Sequence, residues 1–162
     1  MQATEPTDDL IGAAALAISA AVWASYRMEP TDAAALNLVM AEPGISISRL
    51  SRALGLSHSA AVRAADRLEG GGLVTRTPAG HGRTVALTCT ERGQRLARQA
   101  TARRRRVLNH AASGLTAAER QTLLSLLAAI VLKLAGDQDQ IDHACRLCDQ
   151  RRCLRRGCLL PA

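Results

Sequence analysis

Small apolar side chains recur every three to four residues at the start of the chain. Leu10, Ala14, Ala17, Ile18, Ala21 and Val22 share one helical face, which predicts a helix over residues 9–28. Pro30 closes it, Thr31 is placed to cap a second helix over 32–41, and Pro43-Gly44 ends that one. A third, short helix is predicted with Ser46 as N-cap, residues 49–54 as body and Gly55 as terminator. Ser57 then opens a fourth, His58–Gly70, which the run Gly70-Gly71-Gly72 breaks. Residues 73–76 and 84–88 are β-prone and flank the turn-rich Pro78-Ala79-Gly80-His81-Gly82, the pattern of a hairpin. An Arg-rich helix is expected over 91–112. Thr116 and Glu119 form a capping box for a last helix over 117–134, after which the chain reads as a polar tail, then rich in Cys and Arg.

Two short helices joined by Gly55-Leu56-Ser57 and followed by a hairpin have the layout of a winged helix-turn-helix, whose second helix enters the DNA major groove. The expected fold is therefore mainly α with a small β-hairpin wing. At about 100° per residue, Ala61, Ala64 and Leu68 cluster on a packing stripe of the fourth helix, while His58, Ser59, Val62, Arg63 and Asp66 fall on the opposite arc. Short side chains against the core let such a helix sit close to base edges. Arg63 is the candidate donor to guanine O6 and N7, with Ser57, His58 and Ser59 at the helix start for a base or phosphate. The plainer alternative is the solvated face of an amphipathic helix.

Composition narrows the choice. Of 162 residues, 48% are hydrophobic but only 1% aromatic, so the core must be built from Leu, Ala, Val and Ile, and a binder that stacks single-stranded bases on aromatic rings is disfavoured. The net charge of +7 is uneven: residues 1–42 carry −5, residues 43–112 carry +10 and residues 113–162 carry +2. A basic middle fits a polyanionic partner, double-stranded DNA here. No uncharged apolar run of about 18 residues is apparent, so no membrane span is expected. The acidic start (Glu5, Asp8, Asp9) is unlike a signal peptide and points to the cytoplasm.

Within this frame the residues resemble the MarR family of bacterial transcription regulators. The stretch Ile47-Ser48-Arg49-Leu50-Ser51-Arg52-Ala53-Leu54-Gly55-Leu56-Ser57 is similar to the family's helix-turn-helix entry. Residues 61–69 and Gly72-Leu73-Val74-Thr75-Arg76 are similar to its recognition helix and the strand after it, and Leu87-Thr88-Cys89-Thr90-Glu91-Arg92-Gly93 to the turn from the wing into the fifth helix. The resemblance implies a homodimer on a pseudo-palindromic operator, usually repressing, with a small-molecule effector in many relatives. It divides the chain into an N-terminal dimerisation helix (1–30), a winged head (31–90), C-terminal dimerisation helices (91–136) and a tail (137–162). The apolar stripe Leu123, Leu124, Leu127, Ile130, Val131 and Leu134 then needs the second copy. Arg83 takes the minor-groove role of the wing, with His81 beside it, although the wing lacks the acid that family members usually carry; Arg76 is the candidate phosphate contact. Arg103–Arg106 is read as a solvated face or dimer-edge charge.

Four of the five cysteines, Cys145, Cys148, Cys153 and Cys158, fall in fourteen residues with the spacing C-x2-C-x4-C-x4-C. A four-thiolate centre, disulfides and unused thiols compete. A reducing compartment disfavours disulfides, and exposed thiols among arginines are reactive. The expectation is a metal centre, either an iron–sulfur cluster that senses redox state or a structural zinc. His143 is an alternative ligand or a solvated side chain, and Cys89 a small buried hydrophobe. No Gly-rich phosphate loop, nucleophile elbow or paired-carboxylate site is present, and the C-x-x-C pair lacks the βαβ context of a thiol redox enzyme, so the chain is read as a non-enzyme. A winged-helix interaction module without specific DNA binding is the third class.

Overall fold

A computed structural model describes residues 6–78, 85–149 and 160. The mainly α architecture with a small wing is as the pattern implies. Helices α1 (Pro6–Ser25) and α2 (Pro30–Ala41) lead into a two-residue strand β1 (Ile45–Ser46). Then come α3 (Ile47–Leu54), α4 (His58–Gly70), strands β2 (Val74–Pro78) and β3 (Val85–Cys89), and helices α5 (Glu91–Ala111), α6 (Ala117–Leu134) and α7 (Gln138–Cys145). The sheet order is β1-β3-β2, antiparallel throughout, with Ile45 opposite Leu87 and Val74 opposite Cys89.

The core surrounds α2. Every residue from Asp32 to Met40 is buried, as expected for a helix apolar on nearly all sides. Around it pack Leu50, Ala53 and Leu54 of α3, Ala65 and Leu68 of α4, Val74 of β2, Leu87 and Cys89 of β3 and Ala97 of α5. Cys89 is the buried small side chain expected, its thiol donating to the Leu36 carbonyl at 3.7 Å.

Local chemistry fixes the boundaries. Ser46 accepts from the Arg49 amide, Ser57 from the Ala60 amide, and Thr116 and Glu119 close a reciprocal capping box. Gly55 ends α3 in the left-handed region (φ 63°): its N–H donates to Arg52 O and that of Leu56 to Ser51 O, the Schellman pattern that satisfies the last carbonyls. At the head of α5, Thr90 accepts from the Gly93 amide and donates to Gly72 O at 2.8 Å, tying α5 to the end of α4. Any Cβ at Gly93 would overlap the Leu73 carbonyl oxygen, so this glycine permits a close backbone approach.

Three expectations are corrected. Thr31 does not cap α2: Pro30 occupies its first turn and Glu29 is the N-cap, without a side-chain bond, because proline fixes the helical φ and needs no donor there. The strand β1 was not foreseen, since two residues carry no period of their own and β3 supplies the pairing. The polar tail contains α7. Thr7–Ser25 is long and apolar enough, by length and composition alone, to cross a membrane, but Asp8 and Asp9 lie in the first turn of α1, so it is not an uncharged apolar run of 18 residues.

The ends of the molecule are unlike its centre. No residue of α6 is buried, and Leu123, Leu124, Leu126, Leu127, Leu132 and Leu134 are exposed, as are Leu10, Ile11, Leu16 and Ile18 of α1. Exposure of this many large apolar side chains on two helices goes beyond the singly scattered apolar residues usual on a monomer's surface.

Candidate nucleic-acid interface

The helix α4 is built with two unlike faces. Ala61, Ala64 and Ala65 are fully buried and Leu68 is 1% exposed, so the inner face consists largely of methyl groups and the helix lies close on the core. Arg67 secures it laterally: Nε lies 3.2 and 3.0 Å from the two Asp32 oxygens, and Nη2 lies 2.6 Å from Oδ1. Asp32 is buried while Arg67 is half exposed, which makes this a charge-assisted fork between α4 and α2. No local signal marks this pairing, since the partners are 35 residues apart.

On the outer face His58, Ser59, Arg63 and Asp66 are exposed and Val62 is half-buried, the arrangement expected from helical phase. Ser57 is committed to capping, and its hydroxyl also meets that of Ser59 at 3.2 Å. A groove of about 450 Å³ runs between the start of α3, α4 and the wing strands, lined by Ser46, Ser48, His58, Val62, Arg76 and Val85. His81 and Arg83, expected at the wing tip, lie outside the described residues.

The guanidinium of Arg76 turns back onto α4. Its Nη1 lies 2.7 Å from Asp66 and 3.0 Å from Glu69, and Nη2 reaches Val62 O at 3.5 Å. It therefore braces β2 against α4 and offsets two carboxylates on the exposed side of α4. Its expected role is phosphate contact; in this arrangement Nη1 and one Nη2 donor have partners within the protein.

The tail holds the other expected chemistry. Cys145 ends α7, and the Cys148 N–H donates to Cys145 O at 2.8 Å, so both thiols occupy one turn. The hydrogen-bonded Cys145 thiol and the Arg104 guanidinium hold the Cys148 thiol down at about 6, against burial, which pushes it up. Arg104 thus serves the tail, whereas Arg105 and Arg106 are exposed as expected. Cys153 and Cys158 lie outside the described residues, and among the described residues no group of three or more His, Cys, Asp and Glu side chains comes together. His143 is not a solvated side chain. It is half-buried over the Gly55 turn, where a Cβ at position 55 would lie 3.0 Å from its Nδ1. That nitrogen is buried without a hydrogen-bond partner, and burial, then the Arg146 charge, hold the imidazole below its ordinary range.

A helix-turn-helix followed by an antiparallel wing defines a winged-helix protein. Residues 28–84 match the MarR family model, and solved MarR structures share the fold. Rv1404 from Mycobacterium tuberculosis is 28% identical, with 85% of this chain and 99% of that one covered and a TM-score of 0.65. Streptococcus pneumoniae FabT, solved in complex with DNA, is 17% identical, covering 79% and 92% with a TM-score of 0.65. M. tuberculosis Rv2887, solved with salicylic acid, is 24% identical, covering 80% and 99% with a TM-score of 0.62. No curated protein matches the chain.

Removing the brace separates its two possible roles. Arg76→Ala is expected to lower the free energy of urea unfolding by about 1 kcal/mol, the upper range for a partly exposed ion-pair network. A residue that only contacted phosphate would leave stability unchanged and reduce the salt dependence of DNA binding by about one unit of slope.

Proposed function

We propose that this protein is a dimeric, sequence-specific DNA-binding transcriptional regulator of the MarR type, a repressor acting at a pseudo-palindromic operator. The observation that carries this reading is the two-faced α4. Its alanines seat it on the core, while His58, Ser59, Val62 and Arg63 face outward beside a groove flanked by the wing. Arg63 reads a guanine, His58 and Ser59 contact a base or phosphate near the helix start, and Ser57 sets the start itself. His81 and Arg83 extend the contact from the wing into the minor groove. FabT, of like fold, was solved on DNA.

The exposed apolar faces of α1 and α6 supply the dimer contact, and two-fold symmetry then places two reading helices on one face of the duplex. The same contact gives the apolar α1 a role in a soluble protein of the cytoplasm. A small-molecule effector is a second input: a cavity of about 540 Å³ opens between α3, α6 and α7, with Val131, Leu134 and Ala135 against Arg52 and His143. Rv2887, also of like fold, was solved with salicylic acid.

The tail adds a four-thiolate centre on Cys145, Cys148, Cys153 and Cys158. Support comes from the first two, which share one turn beside Arg104, with Cys148 held in the thiolate form that metals bind. The site takes an iron–sulfur cluster, giving the regulator a redox input, or zinc, giving a structural staple.

Two measurements test these readings. Selection from random duplexes at fixed salt should enrich a two-fold symmetric site, and Arg63→Ala should lose about 1–3 kcal/mol on it with relaxed preference at one base pair. Binding without sequence preference would leave a winged-helix interaction module. For the tail, protein purified without oxygen should show broad visible absorption with iron and sulfide. A colourless protein with one zinc per chain identifies the staple, and absence of both metals refutes the centre.

A further inference from the structure

The helix α7 folds back onto α3, the first helix of the head. Asp137 caps it by accepting from the Gln140 amide at 2.9 Å, and Ile141 is its buried residue. Asp142 meets Arg49 Nη2 at 2.5 Å, and Asp139 lies 3.8 Å from Arg49 Nη1 and 3.6 Å from Arg52 Nε. The His143 ring covers Gly55, the residue that ends α3. A side chain there would both strain the backbone and strike the ring.

A second anchor follows within a few residues. Asn37 is a buried polar side chain on the otherwise largely apolar α2, 5% exposed. Its Nδ2 donates to the carbonyls of Arg146 and Cys148, both at 2.9 Å, and its Oδ1 accepts from the Thr101 hydroxyl of α5 at 3.4 Å. Leu147 packs on the core between these contacts, and Arg104 of α5 meets Cys148. The turn thus explains why a polar side chain is tolerated in α2: without it both Nδ2 hydrogens would be buried without acceptors.

We propose that residues 138–148 form a strap that fixes α3 to α2 and α5 of its own chain, with Asn37, Asp139 and Asp142 as positioning residues for the reading head. Operator affinity depends on the strap being docked, a consequence that rests on reading α4 as the DNA helix. The entrance to α4 is the Gly55 turn, so loosening α3 loosens the helix start that carries Ser57, His58 and Ser59. Cys145 and Cys148 sit at the second anchor, and a bond formed on either sulfur acts on the turn that Asn37 holds.

Hydrogen–deuterium exchange on the full chain tests the strap without DNA. In Asp139→Asn/Asp142→Asn, the amides of α3 and the Gly55 turn should exchange about tenfold faster than in the wild type, with α5 unchanged and helix content lower by no more than the eight residues of α7. Asn37→Leu releases the other anchor without changing charge and should give the same local loosening, while Asp142→Glu should restore protection. Affinity for the selected duplex should fall about tenfold in both released variants at fixed salt, although added positive charge alone would strengthen the double Asp variant's binding. Faster exchange in α7 with α3 unchanged overturns the strap. Loosened α3 with unchanged affinity overturns its effect on DNA binding. If the wild type selects no duplex, the regulator reading fails, while the exchange experiment still decides the strap.

Discussion

The close seating of α4 on the core is the constraint on which the rest depends. Three alanines with no exposed surface bring the backbone of α4 against the core, and larger side chains there would lift the helix and rotate its outer face. The fork between Arg67 and Asp32 fixes its lateral position on α2, and the Arg76 brace fixes the wing relative to it. Small residues inside, one half-buried charge pair and one surface network together hold a polar arc outward. The direction of His58 and Arg63 is thus a product of packing on the opposite face of the same helix.

Much of this was legible in the sequence wherever structure is decided within a few residues. The caps at Ser46, Ser57 and Thr116, the stop at Gly55 and the phase of Ala61, Ala64 and Leu68 are local, and each is realised in the fold. What escaped is decided at a distance. The pairing of β1 comes from β3, roughly forty residues on, and α7 is eight residues long with one buried side chain, so its contacts with α3 and the hold of Asn37 on the turn after it stabilise it more than its own period. Its local mark was Asp137 followed by Gln140, a cap ahead of Ile141. Arg76 illustrates a different limit, because an arginine on a wing strand has the same sequence signature whether it faces phosphate or the acids of α4.

The two ends of the molecule carry separate tasks in this account. In the proposed function the exposed apolar faces of α1 and α6 join two copies, while residues 138–148 lie against α3, α2 and the long helix α5. In the proposed function a change at the thiols would reach α3 through Asp142 and Arg49, and an effector in the cavity beside His143 would lie against α3 and α6. Both would then act on α3, the helix that ends at Gly55. A modest bias suffices, since about 1.4 kcal/mol changes binding tenfold.

Hydroxyl-radical footprinting of the full-length protein on a duplex it selects is the most direct test of the central claim. The account predicts two protected patches on one face of the DNA with centres about 10 base pairs apart, each spanning a major groove and its flanking backbone. A single patch, or protection that ignores sequence, would contradict it.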